Sequence, residues 1–354
     1  MSNETMQHLN TNTLIGHTSE RGTAWHYRAE EQGDESNHYE GAIPVSDVQR
    51  RLFDWTARSC KVAVEVASNP AEMTHLNHDG LPVRWQIVEG RQAITRSDNN
   101  HVMGFFASGY ERHQYSEWLL TSVANILDDD LSISSAGLLR SGAIAWVEVS
   151  VPESMTTPEG VVFRPNLLAT TSFDGSIATT YKRTITATVC DNTRELALGE
   201  AGQELKIKHS RNSRLRLGQA QAALQLVHDM ADSFAAEVAK LCQTEVNERQ
   251  WSAFLNTHIP TTHTDGRALE GRARTIATAK RDDLQDLYAR DHRVAPWAGT
   301  AYGVIQAVNT WEHHMGVVRN ASRGERNMLR TVTGEFAKVD QRAWARLKRI
   351  LSAV

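Results

Sequence analysis

Cysteine is scarce in this chain: Cys60, Cys190 and Cys242 are the three among 354 residues. None belongs to a CxxC pair, which excludes a disulfide framework or a zinc ribbon, and a reducing cytoplasm is the expected setting. Long apolar runs are missing as well. No stretch approaches the roughly 20 residues that cross a bilayer. The polar start has neither the basic nor the apolar segment of a secretion signal, so no membrane association is expected.

The short motifs of common enzyme classes are also missing. There is no GxSxG, no GxxxxGK[ST] and no HExxH. His75 with His78 and Asp79, and Glu312 with His313 and His314, are the closest histidine groupings, and neither has the i, i+4 pairing of a helical zinc site. Cys190, followed by Asp191 and Asn192, reads as a buried structural thiol before a nucleophile. The expectation is a non-enzymatic protein without metal or cofactor. The triplet Asp128, Asp129 and Asp130 is the densest carboxylate group, should a metal-dependent nuclease exist here.

Another absence points to function. Between Leu205 and His228 there is no acidic residue. That stretch opens with Lys206, Lys208, His209, Arg211, Arg214 and Arg216. Such crowding runs against a formal charge of −4 for the chain. Charge concentrated against the global balance calls for a partner, and phosphate backbones are the commonest one. Lys206 and Lys208 should share one face of a strand, opposite Leu205 and Ile207. Residues 265–354 add a second excess, 16 Lys/Arg against 10 Asp/Glu. Within them Arg342, Arg346 and Arg349 stripe an amphipathic helix beside Trp344, Leu347 and Leu351.

Hydrophobic periodicity gives the organisation. Residues 1–41 read as a loosely ordered arm, 42–264 as an α+β core domain and 265–354 as a helical region. Ser46 is placed as the N-cap of a first helix, and residues 81–88 and 91–96 as strands joined by a turn at Glu89 and Gly90. A helix is expected over 115–127, and strands over 143–151, 161–171 and 181–189, with a hairpin at Asp174 and Gly175. A short helix follows over 192–198. From Leu217 to Leu241 an a/d spacing marks a long core-packing helix, with Phe234 and Val238 on its apolar face. The fold class is α+β: a central, mainly antiparallel sheet packed by a long helix, with a mostly helical C-terminal third.

Ile15, Gly16 and His17, with Arg21, Gly22, Ala24, Trp25 and His26, resemble the N-terminal signature of the phage/plasmid-like proteins of actinobacteriophages, mobile plasmids and prophages. The similarity continues through Met103 and Gly104 with Tyr110 and Gln114, and through Ser135, Ala136 and Gly137 with Gly142 and Trp146. It then takes in Thr171 and Ser172 with Asp174, Gly175 and Ser176, and Val189 and Cys190 with Asn192 and Thr193. It ends at Ile207, Lys208, His209 and Ser210 with Arg211 and Asn212, so nearly the whole chain is covered. Phe173 departs from the family's usual His, and Tyr27 from its usual Gly. If that His were catalytic, Phe173 would count against chemistry at the position. The family is largely uncharacterised, so the resemblance implies a genomic setting more than an activity. Its members are remotely similar to phage single-strand annealing proteins of the Red-beta and Erf kind. Those use a β-hairpin, further strands and a helix to hold one strand in a basic groove, often as rings.

Together these readings lead to an expected function: ATP-independent binding and annealing of single-stranded DNA in phage recombination or replication, in the host bacterial cytoplasm, by a homo-oligomer. Lys206, Lys208, Arg211, Arg214 and Arg216 would contact phosphates, His209 would add a donor, and Lys182 and Arg183 would support them from a neighbouring strand. The alternative is a host-takeover or anti-defence protein whose basic strip meets an acidic bacterial protein.

Overall fold

The computed structural model describes residues 11–16, 35–125, 127, 131–151, 154–187, 192–195, 204–210, 213, 230–319 and 323–353. The first elements are β1 (Thr13–Ile15), α1 (Val45–Leu52), β2 (Ala57–Ala67), β3 (His75–Leu76), β4 (Pro82–Arg96) and β5 (Val102–Ala107). A helical segment α2 joins a π-helical part (Ser116–Thr121) to an α-turn (Ser122–Ala124). Then come β6 (Ser132–Leu139), β7 (Ile144–Ser150), β8 (Met155–Thr156), β9 (Val162–Ser172), β10 (Thr179–Ala187), β11 (Asn192–Glu195) and β12 (Glu204–Ile207). The rest is helical: α3 (Met230–Gln243), α4 (Glu248–His258), α5 (Gly271–Arg290), α6 (Ala301–Thr310), α7 (Arg323–Val332) and α8 (Glu335–Leu351). This is the α+β arrangement expected, with antiparallel sheets and a helical C-terminal region.

The larger sheet runs β1-β6-β7-β9-β10. β11 and β12 both pair with β10, at its C-terminal and N-terminal halves. One face carries Val147, Val149, Leu167, Ala169, Tyr181 and Ile207 into the main core, together with Leu52, Trp118, Leu119 and Val123. The other face presents Leu139, Ile144, Trp146 and Leu168 to Met328, Leu329 and Val332 of α7. Full burial of such side chains stabilises by about 1.5–3 kcal/mol each, which fixes the helical third onto the sheet. Phe234, Val238 and Leu241 of α3 are buried in the main core, as the a/d pattern expects, while residues 214–229 of that pattern lie outside the described residues.

Three local expectations are corrected. Glu89 and Gly90 make no hairpin turn: β4 runs unbroken from Pro82 to Arg96, and Gly90, at φ 72°, takes up a bulge where β2 shifts register. Residues 192–195 form a strand, because pairing with Thr184–Ala187 of β10 satisfies backbone groups that a short helix would leave open. The first helix is capped by Pro44, whose φ of −61° presets the entry, and Ser46 lies inside it. Part of the arm expected to be loose is tied down as well, since Leu14 is buried and β1 pairs with β6.

The smaller sheet, β2-β4 with β3 and β5 on the far edge of β4, leaves large apolar side chains in solvent. Leu76, Leu81, Trp85 and Phe105 are all more than half exposed, at 58%, 59%, 57% and 66%.

Candidate nucleic-acid interface

The basic strand behaves as its alternation requires. In β12, Ile207 is buried in the core, while Lys206 and the following Lys208 are exposed. Register places Lys206 opposite Thr180 and Ile207 opposite Thr179. Lys206 thus emerges on the sheet face covered by α7 and α8. There the two walls leave a cleft of about 330 Å³. Ser176, Thr180, Lys182 and Lys206 line one side, and Thr333, Gly334, Lys338 and Gln341 the other.

The two basic segments seen in the sequence therefore meet across one cleft, through Lys206 and Lys338. Lys338 lies one turn before the Arg342 with which the sequence stripe began, and Arg342 Nε donates to its carbonyl at 2.9 Å. Arg342 and Arg349 are exposed. Arg346 turns away, its guanidinium donating to His258 Nδ1 at 3.0 Å. Burial and the charges of Lys280 and Arg346 press His258 down to about 4, which keeps the ring neutral.

Lys182, expected to support the phosphate contacts from a neighbouring strand, is drawn toward the helical layer. It is 5% exposed, and its ammonium donates to Thr331 O at 2.7 Å, in the last turn of α7. A cation at a helix C-terminus is favoured by the exposed carbonyls there. Lys182 therefore ties α7 to the sheet and lines the floor of the cleft. On the same sheet face, burial pushes the Glu148 carboxyl up to about 7, against the opposing pull of Thr184, Arg164 and Lys182. Arg183 pairs with Leu167 through the backbone. The Arg183 side chain, Arg211, Arg214 and Arg216 lie outside the described residues, as do Asp128, Asp129, Asp130 and Cys190.

His209, expected to add a donor, is packed into the protein. Its ring is a rung in a ladder of Phe106, Tyr110, His209, His113 and Trp118, with successive centroids 3.8, 4.8, 3.9 and 3.7 Å apart. Nε2 meets Thr171 Oγ1 at 3.0 Å and Nδ1 meets Glu111 O at 2.9 Å. Burial lowers its pKa to about 4. A neutral ring with both nitrogens engaged pins the end of β12, and so aims Lys206 and Lys208; it offers nothing to a phosphate. Thr171 Oγ1 in turn meets Thr179 Oγ1 at 2.7 Å, and Thr179 meets His113 Nδ1 at 2.6 Å. Phe173, the position at which the sequence departs from the resembled family's usual His, is fully buried against Tyr115 at 4.5 Å.

Sequence reasoning missed Lys338 and Gln341, because the apparent stripe began one turn late. The signal was present in the +6 balance of residues 265–354 (16 basic less 10 acidic). Among the described residues, no group of three or more His, Cys, Asp or Glu side chains could hold a metal ion. No helix among them is long and apolar enough to cross a membrane.

Comparison with known proteins gives one match. The profile of a family described as a domain of unknown function (DUF932) covers residues 102–333, from β5 to the turn before α8. No curated protein and no solved structure matches the chain.

Proposed function

The chain belongs to the DUF932 family, and from that premise we propose that it is a single-stranded DNA-binding and annealing protein of phage or plasmid recombination or replication. It would work without ATP in the host cytoplasm. The observation that carries this reading is the cleft where Lys206 of β12 and Lys338 of α8 face each other, flanked by exposed Lys208 and Arg342. Two basic elements far apart in an acidic chain converge on one surface, which suits a polyanion better than any apolar ligand. The partial fill of the cleft by Thr180, Ser176 and Gln341 adds neutral hydrogen-bonding groups suited to phosphate and sugar oxygens.

Fluorescence anisotropy with a labelled single-stranded oligonucleotide tests it. Affinity should fall with salt, with a log–log slope of about 0.7 per phosphate contacted. Lys206→Ala combined with Lys338→Ala should weaken binding at least tenfold and flatten that slope. Lys182→Met should change the affinity little at a temperature where the variant is folded, because that ammonium is engaged by Thr331. Salt-independent binding, or an affinity unchanged in the double variant, overturns the assignment.

A further inference from the structure

The outer edge of β2 carries a self-complementary pattern. Ladder geometry shows which backbone groups point away from β4. The Gln114 side chain amide bonds both the N–H and the carbonyl of Ala57, at 2.9 Å each, so the Ala57 peptide groups face outward. At the other end, Ser68 N–H donates inward to Pro82 O at 3.0 Å. Odd-numbered residues of β2 therefore present their N–H and carbonyl groups to the outer edge. The extra residues of the bulge lie in β4, so this parity is kept along the whole strand. Beyond Ala57, no strand among the described residues pairs with that edge.

An unpaired strand of this length is ordinarily guarded by isolated charges. Here the charges are Arg58, Lys61 and Glu65, all exposed, and of these Lys61 and Glu65 are placed symmetrically about Ala63. Antiparallel pairing of β2 with a second β2 about a two-fold axis at Ala63 sets Lys61 against Glu65 of the other copy, twice. Ala63 meets its own copy in a hydrogen-bonded pair, which is the parity the outward-facing odd residues require. On the opposite face Val62 meets Val64, again twice, in the closer non-hydrogen-bonded geometry. Val64 is 45% exposed in the single chain. Glu65 is already oriented by His75, whose Nε2 lies 2.9 Å from its carboxylate, and His75 stacks on Trp85 at 5.2 Å. The pairing would thus extend the exposed apolar sheet across the axis.

We propose that β2 is a homodimerisation edge, pairing antiparallel with a second copy of this chain about Ala63. A shift by one residue would turn Lys61 and Glu65 to opposite faces, and a shift by two would leave both pairs unmatched. The charges therefore select one register and work against others. Independence from the nucleic-acid reading is kept by testing the protein without oligonucleotide.

Sedimentation velocity of the full chain over a hundredfold concentration range should give a dimer. Ala63→Pro removes an outward N–H that β4 does not use, a position where an edge strand tolerates proline, and should give a folded monomer by circular dichroism. Lys61→Glu should raise the dissociation constant at least tenfold. The exchange Lys61→Glu with Glu65→Lys should bring it back to within about threefold of the original. A monomer at every concentration, a dimer that survives Ala63→Pro, or a charge exchange that fails to restore what Lys61→Glu removes would each overturn the proposal.

Discussion

Substituting His209 by alanine and by phenylalanine separates the two jobs of its ring. The ring stacks between Tyr110 at 4.8 Å and His113 at 3.9 Å, and its nitrogens engage Thr171 and the Glu111 carbonyl. Alanine removes everything. Each aromatic contact is worth about 0.5–1.5 kcal/mol, and a carbonyl stranded without its donor costs about 1–3 kcal/mol. Thr171 keeps its partner Thr179. The expected loss for His209→Ala is about 4 kcal/mol. Phenylalanine retains the stack, so His209→Phe should lose only about 1–3 kcal/mol. Urea unfolding followed by tryptophan fluorescence at pH 7.5 measures both.

The same pair of variants tests the burial of this ring. With a folded pKa of about 4 against 6.5 in the unfolded chain, the unfolded state takes the proton first as pH falls. The contribution of His209 is therefore complete above about pH 7. It is lost between about pH 6.5 and 4, at about 1.4 kcal/mol per unit. His258, also held near 4, acts in the same direction and persists in both variants. The phenylalanine variant should therefore show an acid dependence shallower by one proton. Equal losses for alanine and phenylalanine refute the stacking argument, and an unchanged acid slope refutes the burial argument.

Glu148→Gln should act with the opposite sign. A carboxyl raised from 4.5 to about 7 supports folding fully below pH 4.5 and loses that support as pH rises through 7. The glutamine variant should match the parent near pH 4.5 and exceed it by about 2–3 kcal/mol at pH 8; melting at both pH values checks this, and an unaltered difference between them contradicts it. Gly137→Ala would drive a Cβ into the Trp146 ring and the Asn12 carbonyl. A loss of about 2–4 kcal/mol in denaturant stability is expected, and a neutral substitution would contradict the close approach of β1 to β6.

Much of the larger sheet was legible because alternation and length together specify a strand. Residues 143–151, 161–171 and 181–189 appear as β7, β9 and β10 within two residues at most ends. Asp174 and Gly175 mark the hairpin, with Gly175 at φ 77° and Asp174 held by Arg140 at 2.9 Å. β2 escaped notice because its exposed positions have no single apolar face, and pairing with β4 alone stabilises it. Several of the short motifs behind the phage/plasmid resemblance have a packing explanation. Gly137 and Gly104 are sites where a Cβ would strike backbone or ring atoms. Tyr110 donates to Ser172 O, Gln114 caps β2, and Trp146 donates to Ser135 Oγ. The cleft was only half legible. A charge count exposes Lys206 and Lys208, but nothing local reveals that Lys182 points inward, since its partner Thr331 is 149 residues away.

That bond bears on how the chain can be divided. Thr331 belongs to the helix that roofs Leu139, Trp146 and Leu168. A fragment ending at residue 264 would uncover those side chains and strand the Lys182 ammonium without its carbonyl. The sheet and the C-terminal helices are therefore expected to unfold together: amide protons of β9, β10 and α7 should exchange with solvent in a single cooperative opening.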